Sequence, residues 1–245
     1  MIIADCIPDT LPHAFTIGTF DGVHLGHQAL LQTLKATGHP TAVLTFAAHP
    51  LKTLTPETAP LLITPLSLKL ILLKAQGVRL TIALPFSIKF AKLSFDELLK
   101  SLPVSHLILG EGASFGRDRE GTEENVKAWG QKNNIPVEYL SKTIPVSSQK
   151  IRDAIKSGHL LLAEQLLGRA HLLYVPAYTA KMSVSGLVMP PDGAYLLSYY
   201  SCTKASRSRS KEKIMVTLHS GWAHFPSSFV EPTILAFNPR ESHVL

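Results

Sequence analysis

Short apolar runs alternate with amphipathic stretches along the first two thirds of the chain. Phe15-Thr16-Ile17 reads as a buried strand, and Ala42 to Phe46 as the next one. The apolar spacing from Leu25 to Leu34 predicts a helix between them. Thr64-Pro65 has the form of a helix start, an N-cap threonine followed by proline in the first turn, and Gly77 would end that helix. Leu80 to Leu84, His106 to Leu109 and Val137 to Leu140 read as strands. Phe95 to Leu99 and Glu123 to Trp129 read as helices. Ile151 to Leu167 reads as two short helices, split at Gly158 and closed by Gly168. Strand and helix in strict alternation imply βαβ units and a Rossmann-like parallel sheet with flanking helices, an α/β fold. Ligands of such sheets bind beyond the carboxyl ends of the strands, so the loops after Ile17, Phe46 and Leu109 are where a site is expected.

After residue 170 the texture changes. Leu172 to Val184, Ala194 to Tyr200, Ile214 to Leu218 and Ile234 to Phe237 read as extended, with a turn at Pro190-Pro191-Asp192-Gly193 and no helix. The expected organisation is an α/β domain over residues 1–170 and a small, shortened antiparallel β-barrel-like domain over residues 171–245.

Composition narrows the function classes. Hydrophobic residues make up 45% and charged residues 17% of the 245, which supports a sizeable core and argues against disorder. The formal net charge of +6 favours anionic partners such as nucleotides, nucleic acid or acidic lipid. Cys6 and Cys202 form no CxxC pair, which excludes a disulfide framework or a cysteine zinc site and fits a reducing compartment. The N-terminus does not read as a signal peptide. The most apolar stretch, Leu61 to Leu73, is broken by Pro65 and Lys69 and is too short to span a bilayer. A cytoplasmic protein without a membrane segment is expected. The basic run Lys204, Arg207, Arg209, Lys211, Lys213 reads as a solvated hairpin loop. It has no interleaved aromatic platform, so nucleic acid is not the expected partner. No signal sets an oligomeric state.

Two segments carry the chemistry. The first runs Gly18-Thr19-Phe20-Asp21-Gly22-Val23-His24-Leu25-Gly26-His27, between a strand and a helix. Gly18 and Gly22 allow a tight turn, and the following helix presents N–H groups and a positive dipole end suited to phosphate. His24 and His27, three apart, would lie on one helix face and could donate to phosphate oxygens as charge develops during phosphoryl displacement. A zinc site is not indicated, because no third ligand has suggestive spacing. The second segment is Val146-Ser147-Ser148-Gln149-Lys150-Ile151-Arg152. Ser147 or Ser148 can cap the helix that follows, and Lys150 and Arg152 place cations in its first turn, against the dipole preference unless an anion is held nearby.

The first string resembles the His-x-Gly-His signature of the nucleotidyltransferase superfamily. In its longer form it resembles the bacterial bifunctional riboflavin kinase/FMN adenylyltransferase (FAD synthetase) family. The second string resembles that family's Ile-Ser-Ser-Thr-x-Ile-Arg motif, with Gln149 where threonine is usual, and the likeness runs through the first 170 residues. It implies a nucleotidyltransferase fold, ATP and Mg²⁺, FMN as substrate and FAD as product. His24, His27 and Arg152 would be catalytic. Gly18, Thr19, Phe20, Asp21, Gly22, Gly110, Ser147, Ser148 and Lys150 would join them around ATP. Phe46, His49, Pro50 and Phe115 would lie on the flavin side. Departures fall on that side: Ala47 and Ala48 stand where the family has an acidic residue and a proline, and Gly112 and Ala113 where it has a polar and an aromatic residue. The family's kinase motif, Gly-x-Pro-Thr-Ala-Asn, is absent after Ala170, so riboflavin kinase activity is not expected. The alternatives are a nucleotidyltransferase with another acceptor, and a non-catalytic nucleotide- or flavin-binding protein.

Overall fold

The computed structural model describes residues 2–4, 12–141, 144–201, 213–237 and 239. The chain forms two compact units, Met1–Pro60 with Leu70–Pro145, and Leu61–Lys69 with Val146–Leu245.

The first unit is built on six strands: β1 (Ile2–Ala4), β2 (His13–Ile17), β3 (Thr41–Phe46), β4 (Leu80–Leu84), β5 (Val104–Gly110) and β6 (Val137–Leu140). All pair in parallel, in the order β1-β4-β3-β2-β5-β6. Every residue of β2 and of β4 is buried, the mark of strands covered on both faces. Side chains alternate between two cores. Phe15 and Ile17 join Leu80, Ile82 and Leu107 against α5 (Phe95–Lys100) and α6 (Glu123–Asn133). Ala14, Val43 and Ile108 face Leu30, Leu31 and Leu34 of α1 (Leu25–Ala36) on the other side. Two single-turn helices, α2 (Leu51–Leu54) and α4 (Ile88–Ala91), lie in loops, and α3 (Leu66–Ala75) begins after Thr64-Pro65 as its start signal predicts. Strand β1 pairs with β4 through Ile2 and Leu80 and has no counterpart in the sequence reading.

The second unit contains α7 (Ser148–Lys156), α8 (Leu160–Leu167) and six further strands: β7 (His171–Val175), β8 (Lys181–Ser183), β9 (Gly193–Ser201), β10 (Lys213–His219), β11 (Trp222–His224) and β12 (Thr233–Phe237). The boundary expected near Ala170 rests on the change to β texture in the sequence. Grouping by contacts cuts earlier, after Pro145, and draws α7 and α8 in with the β strands. The sheet order is β7-β12-β9-β10-β11-β8, antiparallel throughout. The extended run expected from Leu172 to Val184 is thus two strands, and they form opposite edges of the sheet. Residues 176–180 must join those edges. Six Cα steps reach about 22 Å at most, whereas the edges of a flat six-stranded sheet stand about 24 Å apart. The sheet therefore curls into a half-barrel. Its concave core holds Leu173, Val175, Tyr195, Leu197, Val216, Leu235 and Phe237, while β10 alternates buried and outward residues. Of the basic run, Lys204, Arg207, Arg209 and Lys211 fall outside the described residues, and Lys213 opens β10.

His171 titrates in an unusual place. It is 2% exposed, its ring lies 5.5 Å from that of Phe237, and burial, aided by the charge of Arg169, pushes its pKa down to about 4. An unfolded histidine takes up its proton near pH ~6.5, so the unfolded state binds more protons between these values. Stability is therefore full above about pH 7 and falls as the pH drops, by about 2 kcal/mol at pH ~5. Denaturant melts at the two pH values should show this loss in the native protein and little of it in His171→Leu. An equal fall in both would remove His171 as the cause.

Candidate active site

In the parallel sheet the chain builds outward from β2 through β3 to β4, then returns to the other side of β2 as β5. The order reverses between β2 and β5, and a crevice at their carboxyl ends is where α/β sheets of this kind bind ligands. The loops after Ile17, Phe46 and Gly110 come from the three neighbouring strands β2, β3 and β5, so they open on that edge together.

The turn after Ile17 is held tightly. The Gly18 N–H donates to the Leu44 carbonyl at 3.1 Å, and the Thr45 hydroxyl donates to the Thr19 carbonyl at 2.9 Å, fixing the turn to β3. Phe20 (φ 50°), Gly22 (φ 83°) and Val23 (φ 40°) all adopt left-handed backbone. That conformation is costly for a β-branched residue. Phe20 and Val23 are each 1% exposed in the α1-side core, and this burial offsets the strain. The three-residue spacing of His24 and His27 predicts that both lie on one face of the helix. In the structure His24 is instead the N-cap (φ −73°, ψ 174°), and α1 starts at Leu25. Its Nδ1 accepts the His27 N–H at a long 3.4 Å. When the ring is neutral, accepting there places its proton on Nε2. The two rings stack, 3.7 Å between centroids and 15° between planes, and Phe20 lies 4.7 Å from the His27 ring. His27 thus touches two rings at the first turn of α1, where no acidic residue competes for an anion. Asp21, expected beside ATP, is 1% exposed.

The second motif belongs to the second unit. Ser147 is the cap: its Oγ accepts the Lys150 N–H at 3.2 Å, and Ser148 is the first helical residue of α7. The first turn of α7 also lacks an acidic residue. Arg152 is expected beside the ATP phosphates. It lies on the buried face with Ile151, Ala154 and Ile155, is 5% exposed, and its Nε donates to the Leu61 carbonyl at 2.7 Å. Lys150 is exposed.

Of the residues expected on the flavin side, Phe46 forms an edge-to-face triad with Phe86 and Phe90, centroids 5.3–5.6 Å apart. Phe86 and Phe90 have no motif around them in the sequence, and Pro85-Phe86 directly follows the β4 run. The His49 Nδ1 accepts the Leu51 N–H at 3.2 Å, and Pro50 sits at the N-cap of α2. Phe115 packs on the α5/α6-side core and pairs with Gly121.

The FAD synthetase family model matches residues 7–154. The chain belongs to the FAD synthetase family. The bifunctional riboflavin kinase/FMN adenylyltransferase of Pseudomonas fluorescens is 33% identical over 210 residues, 75% of this chain and 67% of that protein. The FAD synthetase of Listeria monocytogenes is 31% identical over 203 residues, 76% of this chain and 81% of that one. Other bifunctional relatives are matched over 53–56% of their own length, so the chain spans about half of them. The crystal structure of a macrolide-efflux protein from Streptococcus pneumoniae superposes with a TM-score of 0.78 at 22% identity, covering 96% of this chain and 89% of that one. That likeness establishes a shared fold.

In this FAD synthetase family member, two of the three glycines of the 110–116 loop differ in kind. At Gly116 (φ 81°) a Cβ would meet the Phe95 backbone nitrogen at 2.6 Å; at Gly112 (φ 75°) it would meet nothing within 4 Å. Gly116→Ala should cost more than about 2 kcal/mol in urea denaturation, and Gly112→Ala about 1 kcal/mol. Equal losses would show that the approach to Phe95 is not what constrains residue 116.

Proposed function

We propose that this protein transfers the adenylyl group of ATP to FMN, giving FAD and pyrophosphate. The observation that carries the proposal is the stacked His24–His27 pair at the start of α1, beside the strand-order reversal. A phosphate oxygen of FMN attacks the α-phosphorus of ATP in line; the new P–O bond forms as the bond to the β-phosphate oxygen breaks. The His24 Nε2 proton and the imidazole of His27 stabilise charge on the transferred group and on the leaving pyrophosphate. The backbone from Gly18 to Gly22, with Gly110, lines the nucleotide. Ser147, Ser148, Lys150 and Arg152 hold the β and γ phosphates. Phe46, His49, Pro50 and Phe115 face the flavin. Positioning and electrostatics supply the rate without a covalent intermediate.

Among the described residues, no group of three or more His, Cys, Asp or Glu side chains is gathered for a metal ion. We propose that Mg²⁺ arrives with the substrate as MgATP, its charge neutralising the triphosphate. Residues 1–170 act as the adenylyltransferase domain and residues 171–245 as a shortened kinase-like domain without riboflavin kinase activity. Among the described residues no helix is long and apolar enough to cross a membrane, and a cytoplasmic location fits the two widely separated cysteines. A second acceptor is favoured by one observation, the open space around Gly112: a nucleotide other than FMN would meet less side chain there.

Pyrophosphate release with MgATP, comparing FMN, riboflavin and nicotinamide mononucleotide, tests the reading. FAD should form with FMN, and riboflavin should yield no ADP. Release only with another acceptor moves the substrate; ATP binding without any release makes the protein a binder. His27→Ala should lower kcat about 100-fold with a much smaller change in ATP affinity. A variant that keeps its rate would remove His27 from the chemistry.

A further inference from the structure

An atom that holds Arg152 also aims it. Its Nε is committed to the Leu61 carbonyl at 2.7 Å, and a planar guanidinium fixed at Nε presents its remaining nitrogens in the direction that this bond dictates. Leu61 opens a short strap, Leu61–Lys69, which counts with the second unit although the chain on either side of it counts with the first. The loop between β8 and β9 clasps this strap. The Leu62 N–H donates to the Gly186 carbonyl at 3.1 Å, and the Val188 N–H donates back to the Leu62 carbonyl at 2.8 Å. Leu62 and Leu187 form an isolated parallel bridge. Behind the clasp, Ile63 and Val188, 1% and 0% exposed, share one core with Ile151 and Ile155 of α7. The carbonyl that receives Arg152 is thus one residue from a doubly hydrogen-bonded clasp supplied by the β-sheet domain, and the helix carrying Arg152 packs on the same core.

We propose that the β-sheet domain serves adenylyl transfer as a positioning element: residues 186–188, through Leu61 and Leu62, set where the Arg152 guanidinium points. Val188 and Leu62 are positioning residues in this scheme, not catalytic ones. The scheme gives the shortened domain a task that needs no kinase loop. It rests on the role of Arg152 at the ATP phosphates proposed above.

A double-mutant cycle on the full chain tests it. Val188→Pro deletes one donor of the clasp and keeps an apolar side chain; Arg152→Lys keeps the charge and deletes the fork. With FMN and MgATP, R152K should lower kcat/KM for ATP about 100-fold, and V188P about 10-fold, because small misplacements of a positioned group are costly. The KM for FMN should not move in V188P. The double variant should fall within about 3-fold of R152K alone, since the clasp acts through the arginine. Losses that multiply to about 1000-fold in the double variant would overturn the clasp and leave the arginine's role standing. An R152K protein with undiminished kcat/KM would overturn both. Should V188P fail to fold, amide hydrogen exchange on the native protein decides the matter. A clasp that orients Arg152 for phosphate is tightened in return when phosphate binds. Saturating MgATP should slow exchange at the Leu62 and Val188 amides about 10-fold, and unchanged exchange at both would sink the proposal.

Discussion

All strands of the first sheet run the same way, so their carboxyl ends share one edge, and the order of growth reverses there between β2 and β5. Everything else proposed for this protein depends on that arrangement. It opens the turn after Ile17, the loop after Phe46 and the loop after Gly110 onto one edge. It also directs the first turn of α1 toward the same region, because α1 follows that turn without a spacer. The chemistry then needs only donors that point outward and an environment that keeps them still.

Stillness comes from burial. The turn from Gly18 to His24 spends three residues in left-handed backbone, a conformation that a lone loop would leave. Phe20 and Val23 prevent this by filling the core beneath it. Phe20 also lies beside the His27 ring, so the residue that stabilises the turn helps to fix the side chain the turn presents. Arg152 is fixed differently, by a backbone carbonyl and by its place on a buried helical face. One proposed site residue is therefore held by ring packing and another by a hydrogen bond.

Much of this was legible in the sequence. Leu80 to Leu84 and Val137 to Leu140 are strands with the bounds expected, and the Gly158 break divides α7 from α8. What escaped has physical reasons. Strands β1 and β11 have three residues each, too few to establish a period. An extended texture from Leu172 to Val184 could not disclose that its two halves pair with different partners, since pairing is a long-range property. His24 fell outside the helix because a residue with a side-chain acceptor can leave the helix and still close its first turn. The burial of Arg152 was hidden because its partner is a carbonyl, which no side-chain pattern announces. The triad of Phe46 with Phe86 and Phe90 joins residues 40 or more positions apart in sequence, and only the pairing of β3 with β4 brings them together.

The connection from β7 to β8 has one more consequence. These strands are the two edges of the half-barrel, and an uncovered edge offers its backbone groups to a strand from any other molecule. Residues 176–180 are too short to let the edges spread flat, and β8 has only three residues, beginning with a lysine. Both features discourage recruitment of foreign strands. The tether length therefore also guards the edges: lengthening it would relax the curl and give the protein a route to strand exchange between copies.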